Sequence, residues 1–233
     1  MRTLRSFLVL MLAAAPALPA QQSTVAIPVG LHLGIPQGEF AQNVNFAGGV
    51  GGGALWKVGG PIALRADLGF LIYGSETRRV PLGGGALGLI NVDVSTTNSI
   101  FGGSLGAQIG VPGRTVMPYL GGSLGFSAFT TSSSVRGSNS SDQPFASSTN
   151  SNDGTFAKSA FGGLYIPFGE GTTVFDLGVR HTWNGESVRY LTPGDITEDG
   201  SGNVILNPRQ TRADFLTIII GITFTPGTKT PAK

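Results

Sequence analysis

Residues 62–74 read IALRADLGFLIYG, and the character of their side chains alternates along the chain. Every even-numbered position in this stretch is apolar, whereas the odd-numbered positions include Arg65, Asp67 and Tyr73. Successive side chains of a β-strand point to opposite faces of the sheet. The stretch therefore predicts a strand with one apolar face and one face that carries charge.

The same period of two recurs in seven further segments of similar length. Tight turns near 58–61, 111–114 and 169–171 alternate with long polar connections at about 36–45, 75–96, 130–155 and 184–211. Short periplasmic turns and long external loops are typical of bacterial outer-membrane barrels. The predicted fold is all-β: an eight-stranded antiparallel up-and-down transmembrane β-barrel, with both termini in the periplasm and a lumen filled by side chains.

The composition excludes several other classes of protein. The chain has 37 glycines and no cysteine, so disulfide and thiolate chemistry are excluded. Beyond residue 20 no run of about 18 apolar residues occurs, which argues against a helical membrane protein. The low charge and the lack of helical periodicity favour a single β domain over residues 21–233.

The first 20 residues have the pattern of a secretory signal peptide. Arg2 and Arg5 precede an apolar run at 6–15, and small residues follow at Ala17 and Ala20. This order of basic, apolar and small residues marks a cleaved signal, and cleavage after either alanine is consistent with it. Its removal takes away two of the 15 basic residues and leaves 13 of each sign, so no nucleic-acid partner is expected.

The connection at 130–155 is dominated by Ser, Thr and Asn. Such a segment has too little apolar surface to bury a core of its own. We therefore expect it to lie in water as one of four external loops.

The predicted strand at 156–168 is ambiguous in its facing. Leu164 and Ile166 support one phase of the alternation, whereas Phe161 and Tyr165 support the other. We favour the phase that places Leu164 and Ile166 against lipid.

Four charged residues lie in the centres of predicted strands: Arg65, Asp67, Asp176 and Arg180. Parity places all four on the lumen face, since an arginine facing lipid at mid-depth costs about 2–4 kcal/mol. The two strands that carry them are opposite each other in an eight-strand ring, so the arginines can reach carboxylates across the lumen. We favour a buried ion-pair network that plugs the lumen, because an unpaired buried charge is far more costly than a paired one. The alternative is a gate that controls conductance.

Two other patterns suggest chemistry, and each has a simpler explanation. His181 has lipid-facing parity near Trp183, as an interfacial catalytic base would, but such residues more often belong to the aromatic belt at the headgroups. His32 points inward without an identifiable serine and carboxylate. Residues 195–203 alternate oxygen ligands as a calcium loop does, yet the twelfth position is Leu206 and a hairpin tip explains the same residues. We expect no catalytic residue, no metal and no cofactor.

Several segments together resemble the family of small, porin-like outer-membrane β-barrels. They are LHLGIPQGEF at 31–40, PYLGGSLG at 118–125, DLGVR at 176–180 and a final strand that ends at Phe224. The resemblance covers the whole mature chain and implies a protein of the bacterial outer membrane. We expect it to be a monomer, with membrane lipid as its surrounding partner. It also implies that Phe224 acts as the signal read by the barrel-assembly machinery, after periplasmic chaperones have delivered the chain.

The resemblance does not select an activity, since members of the family serve in adhesion, envelope integrity, small-solute passage and lipid modification. The long polar loops and the filled lumen favour a structural or surface-interaction protein, in adhesion or envelope integrity, over an enzyme. A small-solute pore is the second hypothesis. A lipid-modifying acyl hydrolase or transferase is the third.

Overall fold

Eight long β-strands form one closed antiparallel barrel in the computed structural model, which describes residues 25–81, 91–110, 115–137, 143–168, 173–198 and 204–226. The barrel strands are β1 (Val25–Pro36), β2 (Ala47–Gly59), β3 (Ile62–Pro81), β4 (Asn91–Gly110), β5 (Met117–Gly137), β6 (Ala146–Pro167), β7 (Thr173–Asn184) and β12 (Phe215–Phe224). Short strands β8 (Val188–Tyr190), β9 (Ile196–Glu198), β10 (Val204–Leu206) and β11 (Arg209–Thr211) lie between β7 and β12. Each barrel strand pairs with its neighbours in sequence, and β1 closes the ring against β12. The predicted up-and-down barrel is confirmed.

Some predicted features lie outside the described residues. These are the signal peptide at 1–20, the turns at 111–114 and 169–171, and parts of three long connections, at 82–90, 138–142 and 199–203. A short 3-10 helix, Phe40–Gln42, occupies the connection between β1 and β2. Across the described ranges, no helix is long and apolar enough to cross a membrane. We call the end of the barrel that bears the long connections the loop end, and the opposite end the turn end.

The structure differs from the sequence analysis in the length of four strands. Much of 75–96 and 130–155, assigned above to loops, continues the β3–β4 and β5–β6 ladders beyond the rest of the barrel. Hydroxyl pairs join the strands there, with 2.7 Å between Thr77 Oγ1 and Ser95 Oγ and 2.8 Å between Thr96 Oγ1 and Ser133 Oγ. The alternation of apolar and polar residues is lost in these extensions because neither face of the sheet meets lipid. The backbone pairing nevertheless persists.

The facing of the strands follows the period of two. Leu64, Leu105 and Leu124 are outward and at least half exposed, as lipid-facing residues must be, whereas Arg65 and Asp67 point inward and are buried. On β6, Leu164 is 41% exposed and Phe161 only 4%. The favoured phase of this strand, with Leu164 and Ile166 outward, is therefore confirmed.

Adjacent glycines on β5 show why the lumen side tolerates so little bulk. A Cβ atom on Gly121 would lie 2.6 Å from ring carbons of Phe161, the directly opposite residue of the neighbouring strand β6, and closer still to the carbonyl oxygen of Ala107. A Cβ atom on Gly122, which points outward, would meet only the carbonyl oxygen of Ser159 at 3.4 Å. The first position therefore requires glycine and the second does not.

Because of this difference, Gly121→Ala is expected to destabilise the barrel by about 1–3 kcal/mol, since the added methyl group overpacks the lumen. Gly122→Ala serves as the matched control and should change stability by less than about 0.5 kcal/mol. Urea unfolding of the two variants in lipid vesicles measures both values. Equal effects would contradict the packing of Phe161 against Gly121.

Candidate functional site: the closed lumen

Three of the four predicted lumen charges meet in one ion-pair group. Arg65 and Asp67 are two residues apart on β3, so both side chains point inward, and Arg65 Nε donates to the two carboxylate oxygens at 2.8 and 2.9 Å. Arg180 reaches across from β7, and its Nη2 donates to Asp67 Oδ2 at 2.6 Å. One carboxylate thus binds two guanidinium groups in the middle of the barrel.

Asp176, the fourth predicted member, has a different partner. Its Oδ1 accepts a hydrogen bond of 2.7 Å from the hydroxyl of Tyr119 on β5. Among the described residues, the ion pairs of Arg65 and Arg180 are both made with Asp67 and none with Asp176. Parity indicates which residues point inward but not which of them are partners, so the sequence did not reveal the neutral Tyr119 as the partner of Asp176.

Aromatic and amide side chains complete this layer. The ring centroid of Phe161 lies 5.1 Å from the guanidinium carbon of Arg65 and 5.0 Å from that of Arg180, so both cations contact one ring. Gln108 Oε1 accepts from Arg65 Nη1 at 3.1 Å, and Tyr165 stacks on Tyr119 with ring centroids 4.4 Å apart. Together these groups fill the cross-section of the lumen with polar contacts.

A second, apolar closure lies nearer the loop end. Phe40 of the 3-10 helix is fully buried, and its ring contacts Tyr190 of β8, Tyr73 of β3 and Phe129 of β5 at centroid distances of 5.1, 5.7 and 6.0 Å. We call this group of four rings the aromatic cap. Two of its members come from the connections that follow β1 and β7, so these connections fold into the mouth of the barrel. Both connections were predicted above only as long external loops.

Polar contacts hold the two connections together above the aromatic cap. Arg209 donates to both oxygens of Asp195 at 3.0 Å and, through Nη1, to Asn43 Oδ1 at 2.7 Å. The backbone N–H and the hydroxyl of Thr192 also donate to Asp195, at 2.8 and 2.7 Å. Burial works against ionisation of Asp195, but the hydrogen bonds from Thr192 and Arg209 outweigh it and lower the pKa of this carboxyl.

The remaining space between the ion-pair group and the aromatic cap is a cavity of about 70 Å³. Asp67, Arg180 and His32 line it on one side, and Leu71 and Phe215 line it on the other. A cavity of this size holds several water molecules at most. The lumen is thus obstructed at two levels.

The histidines and the predicted calcium loop contribute little to this site. His181 faces outward and packs against Trp183 in a tilted arrangement, with ring centroids 4.3 Å apart. No hydrogen bond links His32 or His181 to a serine or a carboxylate within the described part of the chain. In the predicted calcium loop, Asp195 binds Arg209, and residues 199–203 are outside the described part of the chain. Within the described part, no group of three His, Asp or Glu side chains is placed to bind a metal ion.

Phe224 ends β12, opposite Ile27 of β1, and its role in assembly stays a prediction.

The shared carboxylate predicts an unequal effect of two similar substitutions. Asp67→Asn leaves two buried guanidinium groups without a counter-charge and should destabilise the barrel by about 3–5 kcal/mol. Asp176→Asn keeps an oxygen that accepts from Tyr119 and should cost about 1 kcal/mol. Urea unfolding in vesicles compares the two variants. A larger loss for Asp176→Asn would show that Asp67 is not the central counter-charge.

The polar contacts above the cap should open in acid. Because folding lowers the pKa of Asp195, its ionised form contributes stability at any pH above the unfolded value of about 3.9, and this contribution is lost as the pH falls through the folded value. Spin labels at Asn45→Cys and Gln210→Cys report the distance between the two connections in this cysteine-free chain. The distance distribution should be narrow at neutral pH and should broaden as the pH is lowered further and further below the unfolded value of about 3.9. Adding Asp195→Asn should broaden it at neutral pH, and a distribution unchanged by either treatment would contradict the role of Asp195.

Comparison with known proteins gives a family but no specific activity. The family model for the outer membrane protein beta-barrel domain matches residues 6–205. Comparison with the curated proteins finds no match.

Solved structures that resemble this chain include three outer-membrane proteins. Neisserial surface protein A, NspA, is 11% identical, with 88% of this chain and 99% of that chain covered and a TM-score of 0.49. The Yersinia pestis attachment invasion locus protein Ail, solved with the heparin analogue sucrose octasulfate, has the same four values. The outer membrane protein AlkL, solved in lipid bilayers, is 15% identical over 94% of this chain and 98% of that chain, with a TM-score of 0.40. At these TM-scores the likenesses carry no argument about activity. Because the family model spans most of the sequence, the chain belongs to the outer membrane protein beta-barrel domain family and is a protein of the bacterial outer membrane.

Proposed function

We propose that this protein is a non-conducting surface protein whose barrel anchors it in the outer membrane and whose loop end, facing outward, makes contacts in adhesion. The observation that carries the proposal is that the lumen is obstructed twice, by the ion-pair group and by the aromatic cap. A solute would have to separate Asp67 from two arginines and also displace the aromatic cap. A permanently open pore would have neither obstruction.

The extended β3–β6 sheet supports the adhesive part of the proposal. Residues 74–81 of β3 pair only with β4, and residues 146–152 of β6 pair only with β5, so four strands rise beyond the barrel wall. Eight residues of strand extend about 26 Å. The β5–β6 part bears mainly serine, threonine and asparagine, whose hydroxyl and amide groups suit the hydroxyl-rich surfaces of polysaccharides.

The proposal assigns no catalytic step to the chain. An acyl hydrolase or transferase needs a nucleophile within hydrogen-bond reach of its base. His181 instead packs against Trp183 at the outer surface, and His32 lines the cavity in the lumen.

Shortening the β5–β6 extension should separate adhesion from folding. Ser133 and Ser148 are directly opposite each other, so replacing residues 134–147 by Asn-Gly closes the hairpin with a two-residue turn. Cells that display the full chain should be retained on a polysaccharide film, and cells with the shortened hairpin should be lost from it. Thr77 and Ser95 permit the same replacement of 78–94 in the β3–β4 hairpin, which is the matched control.

Conductance distinguishes the proposal from a small-solute pore. The full chain in a planar bilayer should give no discrete current steps. Steps in the full chain would replace the proposal with the pore, and equal retention of all three kinds of cell would remove adhesion by the β5–β6 extension.

A further inference from the structure

The outward face of β4, β5 and β6 contains a groove of about 700 Å³. Leu105 and Leu124 form one wall and are 62% and 60% exposed. Ala107 and Gly122, which are opposite each other on β4 and β5, form the floor. Leu64 of β3 lies at one end of the groove, and Lys158 and Trp183 lie at the other.

The groove runs obliquely across the membrane because the strands are tilted. At its lower end, Leu64 is two residues from the first residue of β3 at the turn end. At its upper end, Lys158 is nine residues from Pro167, the last residue of β6 at the same end. With about 3.3 Å per residue and a tilt near 40°, Lys158 lies about 23 Å above the turn end, which is close to the height of a typical apolar band, about 25 Å. The groove therefore joins the headgroup level of one leaflet to the apolar interior.

Below the extension of β3 to β6, Lys158 is the one lysine or arginine on the lipid-facing side of β3 to β7 among the residues that the structure describes. It is exposed, is directly opposite Trp183, and makes no ion pair with a described residue. Tryptophan and lysine at a barrel rim are typical of the headgroup level, where the indole ring and the ammonium group both stay partly in water. A single cation above an apolar groove is complementary in charge and shape to an anionic lipid.

We propose that this groove binds an anionic, phosphate-bearing lipid, with its phosphate against Lys158 and one acyl chain along Gly122 and Ala107 toward Leu64. The site lies on the membrane face of the barrel, apart from the lumen and from the extended sheet, so it is independent of the adhesive function. Lipid held there would cover the floor of the groove, which otherwise leaves a gap in the packing of the surrounding acyl chains.

Native mass spectrometry of the full barrel tests this site with two probes that share the same acyl chains. Phosphatidic acid carries the phosphate, and diacylglycerol lacks it. The unmodified barrel should retain phosphatidic acid about fivefold better than diacylglycerol, the factor expected for one lysine at a lipid headgroup. Lys158→Gln should abolish this preference, and Gly122→Leu should lower retention of both lipids by filling the groove. Because Gly122 has room for a Cβ, the second variant is expected to fold.

Two variants control for charge and for bulk elsewhere. Lys57→Gln removes a positive charge at the turn end of β2, and Gly48→Leu adds a side chain on the outward face of β2, where a Cβ would meet only Phe46. Both should behave as the unmodified barrel, and a heat-dependent shift in gel mobility verifies that each variant is folded. An equal affinity for the two lipids, or an unchanged preference in folded Lys158→Gln, would overturn the proposal. Displacement of phosphatidic acid by inorganic phosphate would also overturn it, because the site would then bind the free anion.

Discussion

The interaction on which the structure depends is the sharing of the Asp67 carboxylate between Arg65 and Arg180. An eight-strand ring is too narrow for a solvated channel, so charges that point inward must find partners inside it. The two arginines approach from β3 and β7, on opposite sides of the barrel, and Asp67 joins them. This contact links the two sides through the lumen and determines which rings and amides fit around it.

The two closures of the lumen differ in origin. The ion-pair group is built from barrel strands, whose mutual positions are determined by backbone pairing. The aromatic cap takes Phe40 and Tyr190 from connections, which become ordered only because their rings are buried against Tyr73 and Phe129. The cap thus couples the connections to the barrel and gives the loop end a defined surface instead of mobile chain.

The outer face of the barrel combines a broad surface for lipid contact with one groove. Most of it is apolar and exposed, as contact with acyl chains requires. Lys158 is a charged exception on this apolar face. It lies at the end of the groove whose floor is formed by Gly122 and Ala107. Adjacent residues of one strand serve the two faces differently. Gly121 makes room for Phe161 in the lumen, and Gly122 leaves space on the lipid side.

The sequence by itself determined the class of fold, the closing order of the eight strands and the facing of most side chains, because alternation has to match lipid on one side and lumen on the other. It also identified Arg65, Asp67 and Arg180 as lumen residues, since charge is excluded from the lipid face. Tertiary structure alone decided that Asp176 bonds to Tyr119, that the four strands continue as a sheet beyond the barrel, and that Phe40 meets Tyr190. The physical reason is that these features depend on contacts between residues far apart in the chain. The period of two tells which face a side chain takes, but it specifies neither the partner of that side chain within the lumen nor the path of the chain beyond the membrane.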